Sequence, residues 1–305
     1  MLPDMLTALR NAFGERLQEN VTLAAYTSAR IGGPADALLN VKTASELADT
    51  MTRLWKLGIP YTLLGGGSNV LVSDRGVRGL VVLNRAREVR FEPGDEPRVW
   101  AESGASFSSL ANRAAEHGYA GLEWAAAVPG TVGGAVYGNA GAFGGDMAHN
   151  LIHAEVLTEK GLERWPVEKM EYGYRTSLLK RSRIKCIILT AEMRLTQSTR
   201  EAVKAKVAEF VTRRKATQPL GASMGSMFKN PPGDYAGRLI EAAGLKGTRI
   251  GNAEVSTVHG NFFINRGSTS ATDICALISL VQRTVAEKFG TKLELEIEMI
   301  GDWDG

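Results

Sequence analysis

Residues 63–72 read Leu63-Leu64-Gly65-Gly66-Gly67-Ser68-Asn69-Val70-Leu71-Val72, five small or polar residues between two apolar runs. No other feature constrains the fold of this chain as strongly. Apolar runs of this length read as short buried strands, and the link between them has almost no side chains. Clustered glycine means backbone brought close to something, or held at positive φ. A diphosphate needs several backbone N–H groups converging at close range, an approach that side chains would block. A hairpin turn is the plain alternative, but three consecutive glycines exceed what a turn needs. The segment lacks the Lys-Ser/Thr ending of a P-loop, and it does not open a helix as a Rossmann fingerprint does.

A second glycine-rich block runs through Val128-Pro129-Gly130-Thr131-Val132-Gly133-Gly134-Ala135 and Gly138-Asn139-Ala140-Gly141-Ala142. It reads either as a tightly packed crossover or as a wall of bare backbone against a large flat ligand. The whole stretch 121–145 shows little periodicity, and such a long irregular run is more often a binding loop than a connection. Together the two blocks hold many of the chain's 34 glycines.

Around these blocks the patterning is α+β. Thr43 and Glu46 form a capping pattern for a helix with Leu47, Met51, Leu54 and Leu57 on one face, ended by Gly58. Strands are expected at 61–64, 70–73, 80–83 and 99–102, a helix at 106–117 stopped by Gly118, and strands at 152–158 and 184–195. Ser198 and Glu201 form a second capping pattern for a helix to about residue 214, which places the main domain boundary near Gln197. Beyond it come a helix at 234–243, a strand at 261–265 and a helix at 270–289 with Gly290 at its C′ end. The last strand, 293–299, alternates Leu293, Leu295, Ile297 and Met299 with Glu294, Glu296 and Glu298.

Composition narrows the function classes. At 305 residues the chain has room for more than one core, and its net charge of +3 is small and dispersed. The one dense basic run, Arg213-Arg214-Lys215, ends a predicted helix and is too short for a nucleic-acid footprint. Cys186 and Cys275 lie in apolar runs and read as two buried thiols in a reducing cytoplasm. The N-terminus has Leu2, Leu6, Leu9 and Phe13 at helical spacing, interrupted by Asp4 and Arg10, without the continuous apolar core of a signal peptide. No stretch reaches transmembrane length, so a cytoplasmic protein with no membrane partner is expected. His117, His149, His153 and His259 show no ligand spacing beyond the pair 149 and 153, so no metal site is expected.

Several segments in order resemble the UDP-N-acetylenolpyruvoylglucosamine reductase family. They are Thr-Ser-Ala-Arg-Ile-Gly-Gly-Pro-Ala (27–35), Leu-Gly-Gly-Gly-Ser-Asn-Val-Leu-Val-Ser-Asp (64–74), Trp-Ala-Ala-Ala-Val-Pro-Gly-Thr-Val-Gly-Gly (124–134), Tyr-Arg-Thr-Ser (174–177), Gly-Ser-Met-Phe-Lys-Asn-Pro (225–231) and Leu-Glu-Leu-Glu-Ile-Glu-Met-Ile-Gly (293–301). The resemblance spans about residues 21–301. It implies an FAD-binding domain of the vanillyl-alcohol-oxidase (PCMH) type over 1–197, in two α+β subdomains of about 1–84 and 85–197. A smaller α+β substrate-binding domain would follow at 198–305, its last strand returning a glutamate to the active site. Without a long insertion after Tyr174, the chain looks like the family's shorter type, which lacks an extra loop bearing a substrate-binding tyrosine.

The activity implied is reduction of the enolpyruvyl ether of a UDP-sugar in peptidoglycan synthesis, with noncovalent FAD and with NADPH as co-substrate. Hydride from flavin N5 would add to the enolpyruvyl group. The family's catalytic positions fall on Arg175, Ser226 and Glu296, to hold the enediolate, deliver the proton and help hold the enediolate in turn. Cofactor positions fall on Arg30, Gly65, Gly66, Gly67, Ser68, Asn69, Pro129, Gly130, Thr131, Gly134, Asn139, Ala140 and Gly141. Substrate positions fall on Tyr174, Arg214, Lys229 and Asn230. A monomer or weak oligomer is expected.

Read from residue types alone, these positions stay open. Arg175 lies in a basic segment with Lys180, Arg181 and Arg183, where an ordinary surface ion pair serves as well. Ser226 reads as turn chemistry, Lys229 as a solvated loop lysine, and the glutamate row as a solvated strand face. Departures from the family pattern occur at Ala222-Ser223-Met224, at Asn252 and at His259-Gly260-Asn261. They bear on loop shape. A second FAD oxidoreductase chemistry on the same scaffold, or a nucleotide-binding protein without activity, would keep the glycine blocks but need not combine Arg175, Ser226 and Glu296.

Overall fold

The computed structural model describes residues 3–182 and 184–303. Leu2 and Arg183, named above, lie outside the described residues. The fold is α+β, built on two larger sheets. The first has strands in the order Gln18–Thr22, Pro34–Val41, Val77–Asn84, Tyr61–Leu64, of which only the first pair is antiparallel. The helices Pro3–Phe13 and Ala44–Leu57 cover it, burying Leu9, Phe13, Leu47, Met51 and Leu54. Thr43 caps the second helix by accepting from Glu46 N–H, while Glu46 accepts from Lys42 N–H rather than completing the box on Thr43. Gly58 closes it at φ 63°, in the left-handed region where glycine is unstrained.

The second sheet is antiparallel, in the order Gly161–Pro166, Leu151–Thr158, Cys186–Arg194, Arg98–Glu102, Val89–Glu92. One face packs on the helix Phe107–Glu116 and on the small-residue block; Leu157, Ile187 and Leu189 reach the first sheet's core instead. The stretch 121–145 is less irregular than its sequence implies. Thr131 caps a helix, Val132–Gly138, that tertiary packing of Val132, Ala135 and Val136 holds despite three glycines in seven residues.

Helix Arg200–Thr217 corrects one expectation. Its cap is Thr199, accepting from Ala202 N–H, not Ser198. Its buried residues Val203, Val207 and Phe210 join the core of the second sheet. Cys186 and Cys275 are half-buried rather than buried, and both are free thiols. Burial pushes the Cys186 thiol up to about 11.

The rest forms another core around Phe228, Phe263, Ile240 and the helix Ala271–Phe289, joined by Ala29, Ile31 and Leu71 of the first unit, with a small sheet ordered Arg249–Ile250, Ala253–Val255, Phe263–Asn265. The final segment departs from the alternating strand. It bends at Ile297: before the bend Leu295 bridges Phe228, and after it Glu298–Ile300 pairs parallel to Val70–Val72. Met299, expected on the apolar face, is 39% exposed, because the bend turns the register after Ile297. Among the described residues no helix is long and apolar enough to cross a membrane.

Asp74 ties the two units together. Its carboxylate accepts from Ala271 N–H at 2.7 Å and from Thr272 N–H and Oγ1 at 2.9 Å, so it satisfies the first turn of the long helix beside that helix's own Ser270–Asp273 capping box. Asp74→Ala is expected to cost about 1–2 kcal/mol. A lower urea midpoint would show it; an unchanged midpoint would mean that water replaces the cap at no cost.

Candidate active site

The two glycine blocks face each other. A Cβ on Gly65 would stand 2.7 Å from Thr131 Oγ1, one on Gly66 3.1 Å from Gly130 Cα, and one on Gly130 2.9 Å from Ser68 Oγ. Gly67 has φ 60°, and a Cβ there would collide with the Tyr26 carbonyl oxygen. Its own carbonyl accepts from Ser28 N–H at 2.9 Å, which draws residues 27–31 onto the loop. Such close approach leaves a surface of bare backbone that a large planar cofactor with a diphosphate would match. Gly67→Ala is therefore expected to weaken binding of such a cofactor, the flavin that the sequence resemblance implies, tenfold or more, roughly the effect of 1.4 kcal/mol or more of strain. The visible-to-ultraviolet absorbance ratio of the purified variant reads this directly.

The other cofactor candidates differ in what they offer. Arg30 is exposed, at φ 55°, and its backbone is held by Asn265 Nδ2, which donates to the Ala29 and Arg30 carbonyls. Pro129 and Gly134 are exposed, and Gly141 lies against Asp146 and Gly145. Asn139 and Ala140 are held by hydrogen bonds of the wall itself. The Asn139 side chain donates to the Gly173 carbonyl and accepts from Ala148 N–H, and both backbone groups of Ala140 are already bonded. These bonds fix both residues within the wall.

Asn139 also holds the turn that carries Arg175. Gly173 and Thr176 exchange two backbone hydrogen bonds, leaving Tyr174 and Arg175 at the tip. Arg175 sits at φ 55°, where a non-glycine residue costs on the order of 1 kcal/mol. Ser177 fixes the other side of the turn by donating to the Tyr137 carbonyl at 2.6 Å. The strain is spent placing one side chain: Arg175 Nε lies 2.7 Å from Glu296 Oε1. That N–H is nevertheless buried without an aligned acceptor, so the contact is a close ion pair with hydrogen-bonding capacity left over.

Glu296 arrives from the far end of the chain. Its N–H donates to the Met227 carbonyl at 2.9 Å, and its carbonyl accepts from Asn69 Nδ2 at 3.1 Å. The glutamate is thus pinned between the first glycine loop and the segment carrying Ser226. Its side chain is 15% exposed, and burial pushes its carboxyl above the ordinary range, opposed first by Arg175 and then by Lys180 and Lys229. The row of three glutamates is therefore not a uniformly solvated face. Glu294 alone fits that description, 71% exposed and 3.5 Å from Lys229.

Ser226 follows Gly225, which has φ 80° and open space around it. Its strand-like setting comes from a bridge to Phe262 and from Asn261, whose side chain donates to the Phe228 carbonyl and accepts from Phe228 N–H. Asn261 stood among the departures from the family pattern; its double bond to Phe228 was not readable from sequence. Lys229 N–H donates to the Glu294 carbonyl, and Asn230 N–H reaches Tyr174 Oη at 3.4 Å across the two units.

A cleft of about 370 Å³ opens beside these residues, lined by Ser68, Pro129, Arg214, Ser223, Gly225 and Phe262 among others. Arg214 has its guanidinium pushed down by burial alone, with no ion-pair partner among the described residues. A half-buried cation without a carboxylate suits an anionic ligand. Arg175 meets Glu296 and Tyr174, and Tyr174 meets Asn230; neither these nor Lys229 line that cleft. Lys180, read from sequence only as part of a basic run, lies 2.6 Å from Glu298. His149 bonds Asp146, His153 lies in the sheet beside Arg164 and Glu192, and no metal-ligating cluster occurs among the described residues.

Comparison with known proteins gives these features a family. Residues 35–165 match a family model described as an FAD binding domain, and 216–300 match the UDP-N-acetylenolpyruvoylglucosamine reductase C-terminal domain. The reductase of Chloroflexus aggregans is 43% identical over 290 residues, 93% of this chain and 97% of that protein. The reductase of Bacillus velezensis is 40% identical over 302 residues, 98% of this chain and 99% of that one. The solved structure of the Thermus caldophilus reductase superposes with a TM-score of 0.79 at 36% identity, covering 93% of this chain and 98% of its own. Likeness along nearly the whole length, through both the glycine-walled unit and the unit that brings Ser226 and Glu296 to it, makes this chain a member of the UDP-N-acetylenolpyruvoylglucosamine reductase family.

Proposed function

We propose that this chain reduces UDP-N-acetylglucosamine enolpyruvate to UDP-N-acetylmuramate for peptidoglycan synthesis, using noncovalently bound FAD and NADPH. The observation that carries the reading is the Arg175–Glu296 pair, half-buried where the arginine turn, the Ser226 segment and the first glycine loop meet. Gly65, Gly66, Gly67, Ser68, Gly130 and Thr131 supply the bare backbone that would hold FAD, with Arg30, Asn69, Pro129, Gly134 and Gly141 at its margins. When bound, FAD supplies a hydride, taken from NADPH, to the terminal carbon of the enolpyruvyl group.

What the protein's own residues do follows from the charge that this addition creates. The electron pair moves onto the carbon bearing the ether oxygen and into the carboxylate, giving an enediolate. Preorganised donors aimed at developing charge are usually the largest catalytic contribution. Arg175 presents a planar fork suited to a carboxylate becoming an enediolate, and its Nε–H has capacity to spare. Glu296, whose carboxyl burial pushes above the ordinary range, would donate a hydrogen bond to the same oxygens when protonated. Ser226 delivers its proton to the carbon, completing the reduction, and recovers one from solvent. Arg214 and Lys229 bind the substrate phosphates, and Tyr174 and Asn230 close over the sugar between the two units.

Anaerobic absorption spectroscopy tests this. Flavin bands should bleach with NADPH and return on adding UDP-N-acetylglucosamine enolpyruvate. Bands that return only with oxygen would point to another acceptor, and a protein unable to bind FAD would overturn the reading.

A further inference from the structure

Each glutamate of the last segment meets a cation from a different part of the chain. Glu294 lies 3.5 Å from Lys229, Glu296 2.7 Å from Arg175, and Glu298 2.6 Å from Lys180. The first two cations belong to the site described above; Lys180, on the short helix Leu178–Ser182, has no part in it so far. Its side chain is only 19% exposed, unusual for a residue that ordinarily keeps its ammonium in water. Loss of hydration at that depth needs an anionic partner, and Glu298 is the one provided. Glu298 is itself anchored, since its N–H donates to the Asn69 carbonyl at 2.9 Å while Asn69 Nδ2 donates to the Glu296 carbonyl. Asn69, Lys180 and Glu298 thus grip the chain immediately beyond Glu296.

We infer that Lys180 and Glu298 form a positioning pair for Glu296, holding its segment in register and cancelling the carboxylate charge two residues away from it. The inference rests on the reading of Glu296 as a residue that acts in its neutral form. The charged groups facing Glu296 are Arg175 from its turn, Lys180 from the short helix, Lys229 from the Ser226 segment, and Glu294 and Glu298 along its own segment. Lys180 and Lys229 each favour the ionised carboxylate, against the burial that opposes it. Seen from Glu296, the intact Lys180–Glu298 pair is close to neutral, and removing either half leaves one charge of known sign. Lys180→Met leaves a lone carboxylate, so Glu296 keeps its proton to higher pH. Glu298→Gln leaves a lone ammonium, so Glu296 gives its proton up at lower pH. A brace that only holds the segment would respond alike to the loss of either partner.

The test is a carbon-13 NMR titration of holoenzyme labelled at glutamate carboxyls, with the Glu296 resonance assigned by its disappearance in Glu296→Gln. The titration midpoint should rise by roughly half a pH unit in Lys180→Met and fall by a similar amount in Glu298→Gln, as for single charges a few ångströms away at a partly screened site. Lys180→Arg should restore the wild-type midpoint. The pH dependence of flavin reoxidation by the enolpyruvyl sugar should move in the same two directions. Midpoints that move the same way in both variants, or not at all, overturn the pair. Opposite NMR shifts with an unmoved rate profile would uphold the pair and remove Glu296 from the proton chemistry.

Discussion

Ser226→Ala should leave reduction of the flavin by NADPH at its wild-type rate while slowing reoxidation by the enolpyruvyl sugar by about 10²–10⁴-fold, the usual worth of a positioned general acid. The two half-reactions separate because only the second consumes a proton at carbon. The substitution removes one hydroxyl from a segment whose shape does not depend on it. Met227 N–H donates to the Asn261 carbonyl, and Phe228 is held at both backbone groups by the Asn261 side chain. An alanine at 226 keeps these bonds, so flavin content and thermal stability should match wild type. Rapid-mixing absorbance in each half-reaction decides it. Normal reoxidation in the variant would remove Ser226 as the acid, and equal loss in both halves would mean that the loop had collapsed.

The parts of this molecule that local chemistry dictates were legible in sequence. Gly58, Gly118 and Gly290 end their helices at positive φ as expected, and Thr43 caps its own. What escaped is what only packing decides. Ser198 and Thr199 are equally good caps on paper; the strand pairing of Thr196 and Gln197 with Tyr119 and Ala120 fixes where the chain turns into the helix. The helix's own apolar residues, Val203, Val207 and Phe210, gave no hint of which core would receive them. The glycine-rich 132–138 has poor helix propensity and is helical because its small faces fit the second sheet.

The candidate site divides in the same way. Glycines that must approach other backbone leave a sequence mark, because no other residue fits. Asn139, a cofactor position by resemblance, also ties the wall to the arginine turn, a contact that no sequence pattern shows. Lys180 carried no mark at all, since a lysine in a basic run is indistinguishable from a solvated one until its partner across the fold is seen.

The glutamate row is where period-two reasoning is put to the sharpest test. Glu296→Gln should slow reoxidation by the enolpyruvyl sugar by about 10²-fold or more, as for loss of a preorganised group at developing charge. Glu294→Gln should stay within about threefold, because an exposed carboxylate pairs weakly with Lys229. The pH response follows from burial. A carboxyl raised in the fold binds its proton more tightly than in the open chain, so its contribution to stability is full below its ordinary 4.5 and is lost as pH rises through the folded value. Over that same rise the neutral form leaves the active site, so the reoxidation rate should decline along a limb that Glu296→Gln abolishes. Stopped-flow reoxidation across pH for both variants measures this. If Glu294→Gln were the variant that lost activity and the limb, the acid facing Arg175 would not be the group that the reaction uses.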